Sequence, residues 1–294
     1  DTDGHAGFSF TKLAVNGNEL VATETSWVCV QDNVTGLVWS PDQGGPVSWT
    51  GTQEAVNNAN TASLCGKTDW RLPEVGELLN IISYDADSYT AGSTVDTTYF
   101  ADTQVGAAAD TLVWYWTASA LGSSSQWGVT FQPVYNTTVK SIPLSNTLST
   151  DALTNHFVRL VSGAVDTSDF ALIGDGSTVQ DNNTGLIWRR CLEGQTFSNG
   201  SCADSGTTAT WPEALALDDG TWRVPNIKEL QSIVGESTYF PTPATDTYIW
   251  SSSPYAGDTQ NAWIVNFKDG LSLNALSQVT PGLVHVRLVR DVSP

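Results

Sequence analysis

The stretch Val30-Gln31-Asp32-Asn33-Val34-Thr35-Gly36-Leu37-Val38-Trp39 returns later in the chain as Val179-Gln180-Asp181-Asn182-Asn183-Thr184-Gly185-Leu186-Ile187-Trp188. Three further motifs repeat in the same order. Trp70-Arg71-Leu72-Pro73 becomes Trp222-Arg223-Val224-Pro225, and Trp116-Thr117-Ala118-Ser119 becomes Trp250-Ser251-Ser252-Ser253. Val158-Arg159-Leu160-Val161 becomes Val286-Arg287-Leu288-Val289. One order kept twice is a tandem duplication, and so long a period means two domains rather than a solenoid. Copy one is the longer, in stretches around Tyr84–Asp110 and Tyr135–Asn155 whose Thr, Ser, Ala and Asp content reads as surface loops.

The 294 residues agree with two domains, each long enough to bury a core. The formal net charge is −19, with only 12 Lys plus Arg. Such a chain has little with which to neutralise phosphates, which argues against nucleic acid and anionic membrane surfaces as partners. No apolar run of about 18 residues is present to span a membrane. There is no Met, the sequence starts at Asp1, and it carries four cysteines. We read these as a mature chain exported through a removed signal peptide into an extracellular or cell-surface setting.

Cys191 and Cys202 bracket a short Gly/Asn/Ser segment and read as a stapled loop; Cys29 and Cys65 then pair by elimination. CxxC spacing is absent and the three His are scattered, which argues against zinc.

Residues 1–25 form an N-terminal extension, a strand or hairpin with Asn16-Gly17-Asn18 as its turn. The domains are then 26–163 and 178–294, joined by a linker over 164–177. Within each, Asp-Asn-x-Thr-Gly is a turn between two short strands, because Asp and Asn close Asx turns and Gly permits positive φ. Helices are expected from Thr52 to Ala62, from Glu74 to Ile82, from Trp211 and over Asn226 to Val234, on apolar positions at helical spacing. Alternating strands end each copy: Trp114–Ser119, Gln126–Gln132 and Phe157–Val161, then Ile249–Ser253, Ala262–Phe267 and Val284–Arg290. The class is α+β, two helices packed on a twisted antiparallel sheet in each copy.

Residues kept in both copies read as scaffold. Arg71, Arg159, Arg223 and Arg287 are expected to be structural, with Glu77 and Glu229 as partners that orient a helix against the sheet. Trp70 and Trp222 read as core. A ligand-binding face is instead expected among Tyr115, Trp127, Tyr135 and Asn136 in copy one and Tyr255, Asn261, Asn266 and Lys268 in copy two. Tyr and Asn mixed with Ser and Gly over a rigid sheet suit adaptable binding. Asp85, Asp87 and Asp96, or Asp1 and Asp3, offer oxygen ligands for calcium, but no contiguous calcium loop is present. No catalytic motif is found, so no enzyme, cofactor or metal is expected.

The combined pattern resembles the Lcl C-terminal family, typified by the C-terminal domain of the Legionella collagen-like adhesin. Its carriers here are Asp32–Trp39, Ala62-x-x-Cys65, Asp69–Pro73, Glu77-Leu78, Trp116–Ser119 and Val158–Val161. In copy two they are Asp181–Cys191, Gly194-Gln195, Cys202, Trp211–Ala214, Trp222–Pro225, Tyr248–Tyr255, Trp263 and Val286–Arg290. The resemblance implies two tandem C-type-lectin-like domains in a secreted or surface protein that is not an enzyme and acts in adhesion to a glycan or protein ligand. The alternative is a structural subunit that self-associates into an extracellular filament or surface layer through the N-terminal extension and domain–domain contacts. Leu160 and Leu288 stand where the family often has Cys, and no Glu-Pro-Asn sugar–calcium motif is present. The acidic charge argues against sulfated glycans.

Overall fold

The computed structural model describes residues 8–84, 92–106, 112–121, 125–132, 134–135, 140–142, 144–148, 155–165, 169–234, 236, 238–241, 247–255, 261–267, 272–276 and 284–292. The chain divides into two compact units, Asp1–Val134 with Leu144–Val165, and Tyr135–Pro143 with Asp166–Pro294.

In the first unit β1 (Phe10–Leu13), β2 (Cys29–Asp32) and β3 (Val38–Asp42) precede helices α1 (Thr52–Thr61) and α2 (Val75–Asn80), followed by β4 (Tyr115–Leu121) and β5 (Ser125–Val129). In chain order β6 (Val134–Tyr135) and β7 (Lys140–Ile142) come next and join a sheet of the second unit, after which β8 (Leu144–Leu148) and β9 (Arg159–Ser162) return to the first. The four-stranded sheet runs β1-β2-β3-β9 and a three-stranded sheet runs β4-β5-β8. The copy therefore uses two sheets where one was expected. The physical reason lies in the closing segment, which serves both. Phe157 bridges Tyr115 in parallel, and two residues later Arg159–Ser162 pairs antiparallel with β3, Trp39 facing Val161.

The second unit repeats this plan with β10 (Phe170–Ile173), β11 (Thr178–Asp181), β12 (Leu186–Arg189), a small hairpin of β13 (Thr196–Ser198) and β14 (Ser201–Ala203), and helices α3 (Trp211–Leu215) and α4 (Ile227–Ser232). Strands β15 (Tyr248–Pro254), β16 (Asn261–Asn266), β17 (Ser272–Leu276), β18 (Val284–His285) and β19 (Val289–Asp291) follow. Its sheets are β10-β11-β12-β19 and β18-β15-β16-β17-β7-β6, with β15 and β18 parallel.

The linker expected over 164–177 contains a strand. Phe170 pairs with Asp181 as Phe10 pairs with Asp32, so the starting strand belongs to both copies. Its exposed Ala171 and Leu172 break the alternation by which sequence reading finds a strand. Phe10 meets Phe100 edge-on at 5.2 Å, and Phe170 meets Phe240 edge-on at 5.4 Å.

Each motif has a local reason. In the Asp-x-x-Thr-Gly turn the Asp32 carboxylate accepts the Val34 N–H at 2.9 Å and the Thr35 hydroxyl at 2.8 Å. Gly36 holds φ +76°, and Gly185 holds φ +75° above the same turn on Asp181. That left-handed conformation is cheap only for glycine.

The Trp-Arg-x-Pro arginines fasten helix to strand. Arg71 is bidentate on Glu77 at 2.6 and 2.8 Å, and Arg223 on Glu229 at 2.7 and 2.8 Å. The same carboxylates accept the N-cap N–H of α2 and α4. The backbones of Arg71 and Arg223 meanwhile pair with Val161 and Val289. In the third motif the indoles of Trp116 and Trp250 donate to the carbonyls of Val47 and Ala209. Ser119 and Ser253 accept the first N–H of the helix. The first core packs around Cys29, Val38, Trp70, Trp116 and Leu160, and the second around Val224, Trp250, Ile264, Val286 and Leu288.

Candidate functional site

The closing segment places one arginine at the heart of each copy, Arg159 at the start of β9 and Arg287 between β18 and β19. Arg159 and Arg287 are both fully buried. In copy one, Arg159 Nη2 lies 2.8 Å from Asp42 Oδ1 and 3.0 Å from Asp102 Oδ1, and Nη1 donates to Ser40 O at 2.9 Å. The Tyr115 hydroxyl donates to Asp42 at 2.8 Å and accepts the Gln104 N–H at 2.7 Å. Asp42 N–H donates to Asp102 at 2.6 Å. Burial raises the Asp42 carboxyl to about 6, although Arg159 and Tyr115 pull the other way. Burial, and then the Asp42 charge, push the Tyr115 phenol above its usual range.

Copy two keeps the arginine and loses the acids. Aligning the first motifs puts Cys191 where copy one has Asp42, and aligning the third puts Ile249 in place of Tyr115. Arg287 Nη1 donates to the carbonyls of Arg189 and Arg190. Phe240 and Phe267 flank it at 5.3 and 5.7 Å from the ring centroids. Burial, reinforced by Arg190, lowers its pKa to about 9.

The disulfides are Cys29–Cys65 and Cys191–Cys202. Trp70 is buried and its indole donates to Leu64 O at 3.0 Å. Trp222 is half-buried instead, with the Arg189 and Arg290 guanidiniums 4.9 and 5.3 Å from its ring.

Four of the eight residues expected on a ligand face lie inside the fold. Tyr115, Trp127, Tyr255 and Asn266 are buried, not on the loop surface to which their type assigned them. Each lies in or beside a strand of the hairpin sheets and takes an inward place, Tyr255 edge-on against Trp263 at 5.5 Å. Asn261 is half-exposed at the start of β16. Tyr135 lies in β6, and Asn136 and Lys268 fall outside the described residues, as do Asp1, Asp3, Asp85 and Asp87. Asp96 is buried and accepts the Thr98 N–H at 2.8 Å. Among the described residues no group of three His, Cys, Asp or Glu is arranged to hold a metal ion, and no helix is long and apolar enough to cross a membrane.

Two features escaped the sequence reading. Asp42 and Asp102 lie outside the repeated motifs, so nothing marked them as the partners of Arg159. Thr98-Tyr99-Phe100 and Thr238-Tyr239-Phe240 are a fifth repeated motif, and its phenylalanines cover both buried arginines.

The Lcl C-terminal domain family model matches residues 28–162 and again 177–290. The chain belongs to this adhesin-type family, as a tandem pair of its domains. No curated protein and no solved structure matches the chain.

Proposed function

We propose that the chain is a secreted or cell-surface adhesion protein without enzymatic activity, whose two C-type-lectin-like domains hold a glycan or protein ligand on loops carried by the hairpin sheets. The observation behind this reading is how many of the repeated residues are consumed within the fold. Arg71, Arg159 and Arg223 sit on carboxylates, Trp116 and Trp250 on carbonyls, and the motif serines on helix N–H groups, with Arg287 the exception among the arginines. A scaffold spent on itself leaves recognition to the segments that differ between copies. Family membership and two disulfides support an extracellular setting. The test is a glycan array and a cell-surface pull-down with the full chain, with and without EDTA. Saturable binding that EDTA leaves unchanged is expected. No binding on either platform defeats the proposal.

A second reading, a subunit of an extracellular filament or layer, draws on the sheet edges. The outer edge of β1 is partly covered, because Leu20 N–H donates to Lys12 O at 2.8 Å. Strand β10 ends in a tight turn at Gly174–Gly176, and among the described residues nothing pairs with its outer side. It also exposes Leu172. An open edge is a template for strand addition. Electron microscopy and light scattering of concentrated protein decide this reading: strictly monomeric particles remove it.

A further inference from the structure

Arg287 is a buried cation in want of an anion. Its Nε and Nη2 are both buried and have no hydrogen-bond partner among the described residues, while Nη1 is spent on the carbonyls of Arg189 and Arg190. No salt bridge reaches it among the described residues, although the chain has 31 Asp plus Glu. A second buried cation stands close by. The Arg190 guanidinium donates to the carbonyls of Tyr239, Gly176 and Thr238 and likewise has no carboxylate among the described residues. Two guanidiniums in one core with no counter-charge depart from the rule that buried charges are paired.

The orphaned atoms are also the informative ones. Nε and Nη2 form one edge of the guanidinium, a two-donor fork spaced for the two oxygens of a carboxylate. Phe240 and Phe267 flank the guanidinium, so this polar edge is the part left unmatched. Copy one shows the same position satisfied, since Arg159 there holds the carboxylates of Asp42 and Asp102.

From this geometry we infer that copy two binds a carboxylate on the Nε–Nη2 edge of Arg287, a ligand supplying from outside the anion that copy one carries in its own sequence. The carboxylate arrives either as a small free acid or on a larger molecule such as a uronic sugar.

The test is thermal unfolding of the full chain in formate, in glucuronate and in bromide at equal ionic strength, together with a crystal structure grown in formate. Binding to the native state alone raises the copy-two transition, on the order of 10 °C at a hundredfold excess over the dissociation constant. The copy-one transition, whose arginine is already paired, is the internal control and stays in place. Arg287→Lys keeps the charge and removes the fork, so it loses the formate-specific rise while still folding; Arg287→Met loses it as well. A rise with formate but not glucuronate identifies a small free acid, and a rise with both admits a carboxylate on a sugar. Equal rises with bromide overturn the carboxylate class. A formate effect that persists in Arg287→Lys, or formate density that avoids the guanidinium, overturns the site.

Discussion

The two copies hold the same arginine in the same closing segment and surround it differently. Copy one encloses Arg159 with Asp42, Asp102 and the Tyr115 hydroxyl. Copy two encloses Arg287 with carbonyls and two phenyl rings, and spends the position of Asp42 on a half-cystine. The comparison teaches that position in the fold and chemical environment are separable. The backbone pairing around the arginine is kept in both copies, whereas the counter-charge of Arg159 comes from the end of β3 and from the Asp102 segment, which copy two has revised. The sharpest way to break this contrast is to remove each arginine in turn. Arg159→Met strands a buried carboxylate and is expected to cost about 3–5 kcal/mol. Arg287→Met, in buffer free of small carboxylates, strands no acid and is expected to stay within about 1 kcal/mol of the parent. Urea unfolding that resolves the two transitions measures both, and equal losses end the distinction.

The cystines come next in size. Cys29–Cys65 closes a sequence separation of 36, and Cys191–Cys202 one of 11. In the chain-entropy account the first contributes about 4 kcal/mol and the second about 3 kcal/mol. The double variants Cys29→Ala/Cys65→Ala and Cys191→Ala/Cys202→Ala should therefore each lower their own transition, the first by more. The reverse order would show that the small cystine hairpin stiffens copy two beyond its loop length.

These contrasts also mark what the sequence made legible. The duplication, the Cys191–Cys202 pair and the Arg–Glu pairs were readable because each lies within a repeated motif or a short span, and Cys29–Cys65 then followed by elimination. Arg71 and Glu77 stand six residues apart across a Pro that precedes the helix cap, so the chain has little freedom to separate them. Asp102 reaches Arg159 from 57 residues away and is itself not repeated in copy two, so nothing marked it. Tyr115 and Tyr255 were misplaced for a different reason. A tyrosine in a strand is equally at home inside and outside, and only the sheet on which it sits settles the matter. Strand β10 was missed because both its middle residues face water, which erases the period-two signal.

The acids that distinguish copy one give it a pH response that copy two lacks at this position. Burial raises Asp42 from its ordinary 3.8 to about 6. A carboxyl whose folded pKa lies above the unfolded one binds more protons in the native state, so stability falls as pH rises between those values and is level above them. Copy one should lose about 2–3 kcal/mol from this group between pH 3.8 and about 6. Its counterpart Cys191 is a half-cystine and does not titrate. Asp42→Asn should flatten this part of the copy-one curve and leave the copy-two curve unchanged. An unaltered slope in Asp42→Asn would assign the response to other carboxylates.

The smallest expected effect is a case where the copies should agree. Gly36 and Gly185 occupy the same turn at φ +76° and +75°, and an added Cβ would meet nothing within 4 Å in either. Space is therefore no obstacle, and the whole cost of alanine is its strain in the left-handed region. That strain is about 1 kcal/mol, the same for both. Gly36→Ala and Gly185→Ala should lower their own transitions by matching amounts, even though the two copies differ in cystine placement, buried charge and loop length. Matching losses would show that the turns and strands of the repeated scaffold are energetically alike, so that the divergent behaviour of Arg159 and Arg287 belongs to their surroundings. Unequal losses would mean that the repeat is shared in shape but not in energy, and the comparison would then have to be made residue by residue.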